Sequence, residues 1–315
     1  MTGSVPVAPA KTPTTAERRA LAQIADERGR LAVIAADHGD PLVEMLQAHG
    51  LPAGADAQRA LKRDIVETVG TDASAVLLDP DVSVTHLVDR GALARDVGLI
   101  VRIEADGFGV ADDGLRQSQL IEGLGAAGAR ERGATAAKVM VFLRPDREDL
   151  DGHAARMVRA ALDDCRRHHL LCVIEAMTYR LDDESPETFA ARRGELVRDS
   201  AVLLEACGAK LLKLEYPGAV AACEAVSSAI STPWAVLSAG VDHEAFCDQL
   251  TDSLEGGAAG FIAGRSLWKE CAGMAGEERR AFLDGTVRRR FEELLGILEA
   301  RGAAERGVNA WAASS

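Results

Sequence analysis

Eight short apolar runs, each followed by a longer connecting stretch, constrain this 315-residue chain more than any other feature. The runs are Leu31–Asp37, Ser74–Asp79, Gly98–Ile103, Ala136–Leu143, Leu171–Ala176, Lys210–Glu215, Trp234–Ala239 and Ala259–Ala263. Their apolar character is continuous rather than alternating, as in strands covered on both faces by helices. Several of the stretches between them, Asp149–His168, Pro186–Cys207 and His243–Leu254, place apolar residues at helical spacing. Eight strands in strict βα alternation predict an α/β protein built as a single-domain (β/α)8 barrel. A doubly wound open sheet is the competing arrangement; the strand count and the polar residues at so many strand ends favour the closed ring. The barrel is expected over 14–301, between a disordered arm at 1–13 that contains Pro6, Pro9 and Pro13 and a flexible tail at 302–315.

Lysine use points to chemistry. Of 36 basic residues only six are lysines, and two of them, Lys138 and Lys213, fall inside apolar strand runs. A desolvated ammonium is disfavoured as a cation, so a buried lysine gives access to the neutral amine, which arginine cannot. Imine formation with a carbonyl substrate is the chemistry this serves. Barrel enzymes work at the C-terminal ends of their strands, and residues i and i+2 of a strand share a face. Strand one ends in Asp37, strand four holds Lys138, strand five Glu175, and strand six Lys213 and Glu215. Strands four and six are both even-numbered, so the two lysines can share a layer with Glu175 between them. Such a cluster suits the proton transfers of carbinolamine formation and dehydration. The plain alternative is a buried ion network without chemistry.

Ser238-Ala239-Gly240 after strand seven and Gly264-Arg265 after strand eight form a second constellation. Small residues there let backbone amides approach a phosphate, and Arg265 adds a charge-assisted contact. The match of Gly123-Leu124-Gly125-Ala126-Ala127-Gly128 to G-x-G-x-x-G reads instead as the exit of a helix before a strand, the reverse of a dinucleotide fingerprint. No metal-ligand spacing stands out, and neither a metal nor a cofactor is expected.

A net charge of −13 argues against a nucleic-acid partner. The six cysteines show no C-x-x-C pattern, and the sequence has neither a leader-like segment nor an apolar run long enough to cross a membrane. A cytoplasmic protein with reduced thiols is expected. A homo-oligomer is compatible with this reading, although no interface is legible.

These blocks together resemble the class I aldolases of the tagatose 1,6-bisphosphate aldolase type, a group that also contains sulfofructose-phosphate aldolase. The resemblance runs from about Leu31 to Trp268 and is carried by Ala137-Lys138-Val139, Ile174-Glu175, Leu212–Pro217, Pro233–Val241 and Gly260–Trp268. It implies a sugar-phosphate substrate with Lys213 as Schiff-base lysine, Glu175 as acid and base, Lys138 as second active-site lysine and Asp37 as a further carboxylate. It also implies that Ser238, Ala239, Gly240, Gly264 and Arg265 cradle the phosphate of a ketone half such as dihydroxyacetone phosphate. Members of the group commonly follow the first-strand Asp with Gln-Arg, whereas here Asp37 precedes His38-Gly39-Asp40. The aldehyde half then falls to His38, Arg144, Tyr179 or Arg180, or carries no charge. Other Schiff-base barrels (deoxyribose-phosphate-type aldolases, transaldolase-like enzymes) and a non-catalytic sugar-phosphate-binding regulator are the alternatives.

Overall fold

The computed structural model describes residues 12–301 and Val308. Its centre is a closed ring of eight parallel strands: β1 (Leu31–Ala36), β2 (Ala75–Leu78), β3 (Gly98–Arg102), β4 (Ala136–Phe142), β5 (Leu171–Met177), β6 (Leu211–Leu214), β7 (Trp234–Leu237) and β8 (Gly260–Ala263). Each pairs with its chain neighbour, and β1 pairs with β8 to close the ring, so the (β/α)8 expectation is met. Helices Asp40–Ala48, Ala55–Val69, His153–Arg167, Pro186–Cys207, Val220–Ala229, His243–Glu255 and Arg288–Arg301 belong to the outer layer.

The strands sort their side chains by parity. Ala32, Ile34, Val76, Val101, Val139, Ile174, Leu212 and Phe261 face outward into one large core shared with the helices. Leu31, Val33, Ala75, Leu77, Ile100, Val173, Leu211, Ala235 and Ile262 face inward and fill the ring. Following the register around the ring while climbing along every second strand resolves the inward residues into stacked layers. One apolar layer is Val33, Ile100, Val173 and Ala235; the next is Leu77, Lys138, Lys213 and Ile262. Above that lie Ala35, Arg102, Glu175 and Leu237. The two lysines therefore do share a layer, the first to carry charge, with an entirely aliphatic filling beneath them.

The bottom of the ring is plugged. A helix over Thr15–Ile24 starts at a capping box, in which Thr14 Oγ1 accepts from the Glu17 amide (3.2 Å) and Glu17 Oε2 accepts from the Thr14 amide (2.6 Å). Ala20, Leu21 and Ile24 pack from this helix onto the inward aliphatic residues. The arm expected at 1–13 and the tail expected at 302–315 fall outside the described residues except for Thr12, Pro13 and Val308. Pro13 is buried, and its carbonyl accepts from Arg18 Nε (3.2 Å). Val308 is buried against the plug, with its amide donating to the Gly29 carbonyl (2.9 Å).

One expectation about the connections is corrected. Gly125 begins a helix, Gly125–Glu131, where a helix exit was expected. The residues before it are not helical: β3 runs into a small hairpin, Gly109–Val110 against Arg116–Gln117, and an antiparallel bridge joins Glu104 to Leu120. No parallel strand leads directly into the glycines, so the motif still lacks the context of a dinucleotide site. Among the described residues, no helix is long and apolar enough to cross a membrane.

Leu21 is fully buried in the plug. Leu21→Ala is expected to destabilise the protein by roughly 2–4 kcal/mol in denaturant unfolding, as for other buried leucines. A cost under about 1 kcal/mol would show that the helix decorates the barrel without sealing it.

Candidate active site

A cavity of about 250 Å³ opens at the C-terminal ends of the strands, and Asp37, Lys138, Glu175, Lys213, Ser238, Ala239, Gly240, Gly264 and Arg265 all line it. The size, below the ~300–1,000 Å³ of drug-sized pockets, suits a small metabolite. His38 lines it too, along with residues that the sequence did not single out, Arg102, Glu104, Asp106, Met140 and Phe142 among them.

At its floor one carboxylate oxygen serves both lysines. Glu175 Oε2 lies 3.0 Å from Lys138 Nζ and 3.0 Å from Lys213 Nζ. The register explains this: Glu175 pairs across the sheet with Lys213 on β6, one layer above the plane of both amines. Lys138 also meets Asp37 Oδ2 at 2.9 Å and is hydrogen-bonded to Glu104 Oε1. Three carboxylates thus surround one ammonium. Burial disfavours its charge, but Asp37, Glu104 and Glu175 together outweigh that and hold the Lys138 pKa well above its ordinary value. The expectation that burial would favour the neutral amine is therefore reversed at this lysine: Lys138 is a fixed cation.

The carboxylates respond differently. Burial works against the charged form of Asp37, yet Lys138 and Lys213 draw its pKa far below the usual range. Glu175 also ends below its ordinary value, its burial offset by the same two lysines. Glu104 goes the other way. Burial dominates over Lys138 and Arg102 and lifts it to about 7; its Oε2 is buried with no partner among the described residues. His38 is pushed down to about 3, mainly by burial, and its ring stands edge-on to Trp268 at 5.3 Å. It is a neutral imidazole at physiological pH.

On the far side, the β7 turn places Ala239 and Gly240 in left-handed conformations (φ +47° and +77°), and the Val241 amide closes it on the Ser238 carbonyl at 3.1 Å. Arg265 lies across this turn, its Cζ 3.3 Å from where a Gly240 side chain would begin. The two halves of the expected phosphate cradle therefore face one another.

Three further candidates lie elsewhere. Arg144 is fully buried and committed to Asp146 (Nε–Oδ1 2.9 Å), Glu184 (Nη1–Oε2 2.7 Å) and the Tyr179 carbonyl. The Tyr179 hydroxyl accepts from the Arg116 amide (2.9 Å), and the ring stands edge-on behind Phe142. Arg180 is exposed and donates to the Glu184 carbonyl (2.7 Å). None of the three lines the cavity. Glu215, which shares its strand parity with Lys213, accepts from the Thr178 amide (2.7 Å) and Arg193 (3.1 Å), a tie between β5, β6 and the helix Pro186–Cys207. Among the described residues, one group has metal-ligand geometry, His243, Cys247 and Glu293, and it lies away from the cavity.

The elevated Glu104 pKa has a measurable consequence. Between about 4.5, its ordinary value, and about 7 the folded protein keeps a proton that the unfolded chain has released. Stability therefore falls as pH rises through that window, and Glu104→Gln removes this loss. Denaturant unfolding near pH 5 and near pH 8 should show the variant gaining on the wild type by on the order of 3 kcal/mol. A pH-independent difference would mean that Glu104 is ionised throughout.

Over 277 residues the chain is 25% identical to a tagatose 1,6-diphosphate aldolase of Staphylococcus aureus, covering 79% of this chain and 83% of that protein. It superposes on a fructose-bisphosphate aldolase from Slackia heliotrinireducens with a TM-score of 0.61 at 15% identity, covering 93% of this chain and 96% of the other. An archaeal fructose-1,6-bisphosphate aldolase, solved with its catalytic Lys covalently bound to the carbinolamine intermediate, aligns with a TM-score of 0.59 at 16% identity over 91% of this chain and 99% of that one. At these identities the two structures establish the shared fold. The family assignment rests on a match to the DeoC/LacD family aldolase model over residues 32–270. With most of the barrel inside that match, the chain belongs to the DeoC/LacD family of aldolases, enzymes that make and break carbon–carbon bonds.

Proposed function

We propose that the protein is a metal-independent, Schiff-base-forming aldolase acting on the C3–C4 bond of a phosphorylated ketose, with dihydroxyacetone phosphate or a similar ketone as its nucleophile half. The observation that carries the proposal is the Glu175 oxygen shared by Lys138 and Lys213, 3.0 Å from each, on the floor of the cavity. The archaeal relative bound to its carbinolamine supports the same chemistry, and Lys213 is the residue we assign to that bond.

In this reading Lys213, as the free amine, attacks C2 of the ketose. Glu175 carries a proton to the carbinolamine hydroxyl, water leaves, and an iminium forms. Lys138 stays charged and keeps Asp37 and Glu175 as carboxylates beside the reacting amine. Asp37 or Glu175 takes the proton from the C4 hydroxyl. The C3–C4 electron pair then flows into the iminium, which releases the aldehyde and leaves an enamine. Protonation at C3 and hydrolysis return the ketone and the free lysine. The Ser238–Gly240 turn, Gly264 and Arg265 hold the phosphate through backbone amides and a guanidinium. Metal independence is supported by the donor set: Asp37, Glu104 and Glu175 are committed to Lys138, and Asp106 to Arg102.

Borohydride reduction in the presence of dihydroxyacetone phosphate, read by intact-protein mass spectrometry, should add one reduced ketone to the wild type and none to Lys213→Met. An adduct retained in the variant would move the nucleophile to Lys138. Exhaustive treatment with a chelator should leave the cleavage rate unchanged, and abolition of activity would overturn the metal-independent mechanism.

A further inference from the structure

The cations of the cavity are nearly all neutralised. Lys138 faces three carboxylates, and Lys213 shares Glu175. Arg102 grips Asp106 with both prongs of its guanidinium, Nη2–Oδ2 being 3.0 Å. Arg265 is the one cavity cation without an ion-pair partner among the described residues. A buried cation that already holds a carboxylate takes on a second anion only at a cost in desolvation and repulsion. The cavity therefore provides for one anionic group, at Arg265.

Position decides what the rest of the substrate meets. Arg265 follows β8 and lies over the β7 turn, whereas Asp106 follows β3, which stands opposite β7 in the ring of eight. A ketose anchored by its phosphate at Arg265 thus extends, past the bond to be broken, toward Asp106, Asp37 and Glu104, while the ring of His38 stays beside Gly264. That wall carries carboxylates and, among the described residues that line the cavity, no unpaired cation. Held by Arg102, the Asp106 carboxylate fills the space where a side chain at 39 would start, its Oδ2 2.1 Å from that Cβ position.

We infer that the aldehyde half carries no phosphate or other anionic group, so that the substrate is a ketose monophosphate yielding a neutral hydroxyaldehyde. This rests on the Schiff-base reading above and on Arg265 as the phosphate contact. A second phosphate would be placed against Asp106 and Asp37, where like charges repel.

The test uses matched aldehydes that differ only in a phosphate: glycolaldehyde with its phosphate, and glyceraldehyde with glyceraldehyde 3-phosphate. Each is condensed with dihydroxyacetone phosphate by the full-length chain, with borohydride trapping of that ketone run in parallel. The neutral partner is expected to have a kcat/KM about tenfold or more above its phosphorylated counterpart. Equal rates, or a preference for the phosphorylated aldehyde, with the trapped adduct present, would overturn this inference and leave the imine chemistry standing. Absence of the adduct would overturn both. Asp106→Asn frees Arg102 and should shift the ratio toward the phosphorylated aldehyde by about tenfold, chiefly through KM. An unchanged ratio in a variant that still traps the ketone would remove Asp106 from specificity.

Discussion

Charge placed inside a ring of aliphatic side chains has to be balanced within a few ångströms, and that demand organises the upper half of this molecule. Lys138 is acceptable in the barrel because Asp37, Glu104 and Glu175 converge on it from β1, β3 and β5. Burial lifts Glu104, the carboxylate with one oxygen unpartnered, whereas the two lysines lower Asp37 and Glu175 against the same burial. Lys213 enters this balance through a single oxygen of Glu175. One amine is thus surrounded by three carboxylates, while the other shares a single carboxylate oxygen among the described residues.

The apolar layers beneath do a different task. They and the N-terminal plug exclude water from below, so the cluster is reached from one side only. Stability is concentrated at the bottom and chemistry at the top, a separation that parallel barrels permit because every strand points the same way. The Ser238–Gly240 turn and Arg265 belong to the upper face, where left-handed backbone at Ala239 and Gly240 shapes the cavity wall.

Much of this was legible in the sequence because continuous apolar runs in βα alternation admit few folds. Lys138, Glu175 and Lys213 were legible because charged residues inside such runs are conspicuous. Burial alone was not the signal, since Lys62 is equally buried in an ion pair with Asp79 outside the cavity. Glu104 and Asp106 were missed because they lie just past the end of the run Gly98–Ile103, where Glu104-Ala105-Asp106 reads as a solvated turn. The parity of Ile100, Arg102 and Glu104 carried the information. Arg144 and Arg180 stand at the right strand ends, but their guanidiniums turn to acceptors near Glu184, contacts between loops that spacing cannot register. The glycines at 123–128 were misread because composition does not reveal on which side of a glycine the helix lies.

The interlock between Gly39 and Asp106 bears on how such an enzyme diverges. A side chain at 39 and the carboxylate of Asp106 compete for one space, 2.1 Å apart, so a residue introduced there has to displace that carboxylate from Arg102. Once displaced, it leaves Arg102 with Glu104 and Asp37 as neighbouring anions. The two positions are therefore coupled: what stands at 39 decides how Arg102 is paired, and an exchange at one changes what the other tolerates.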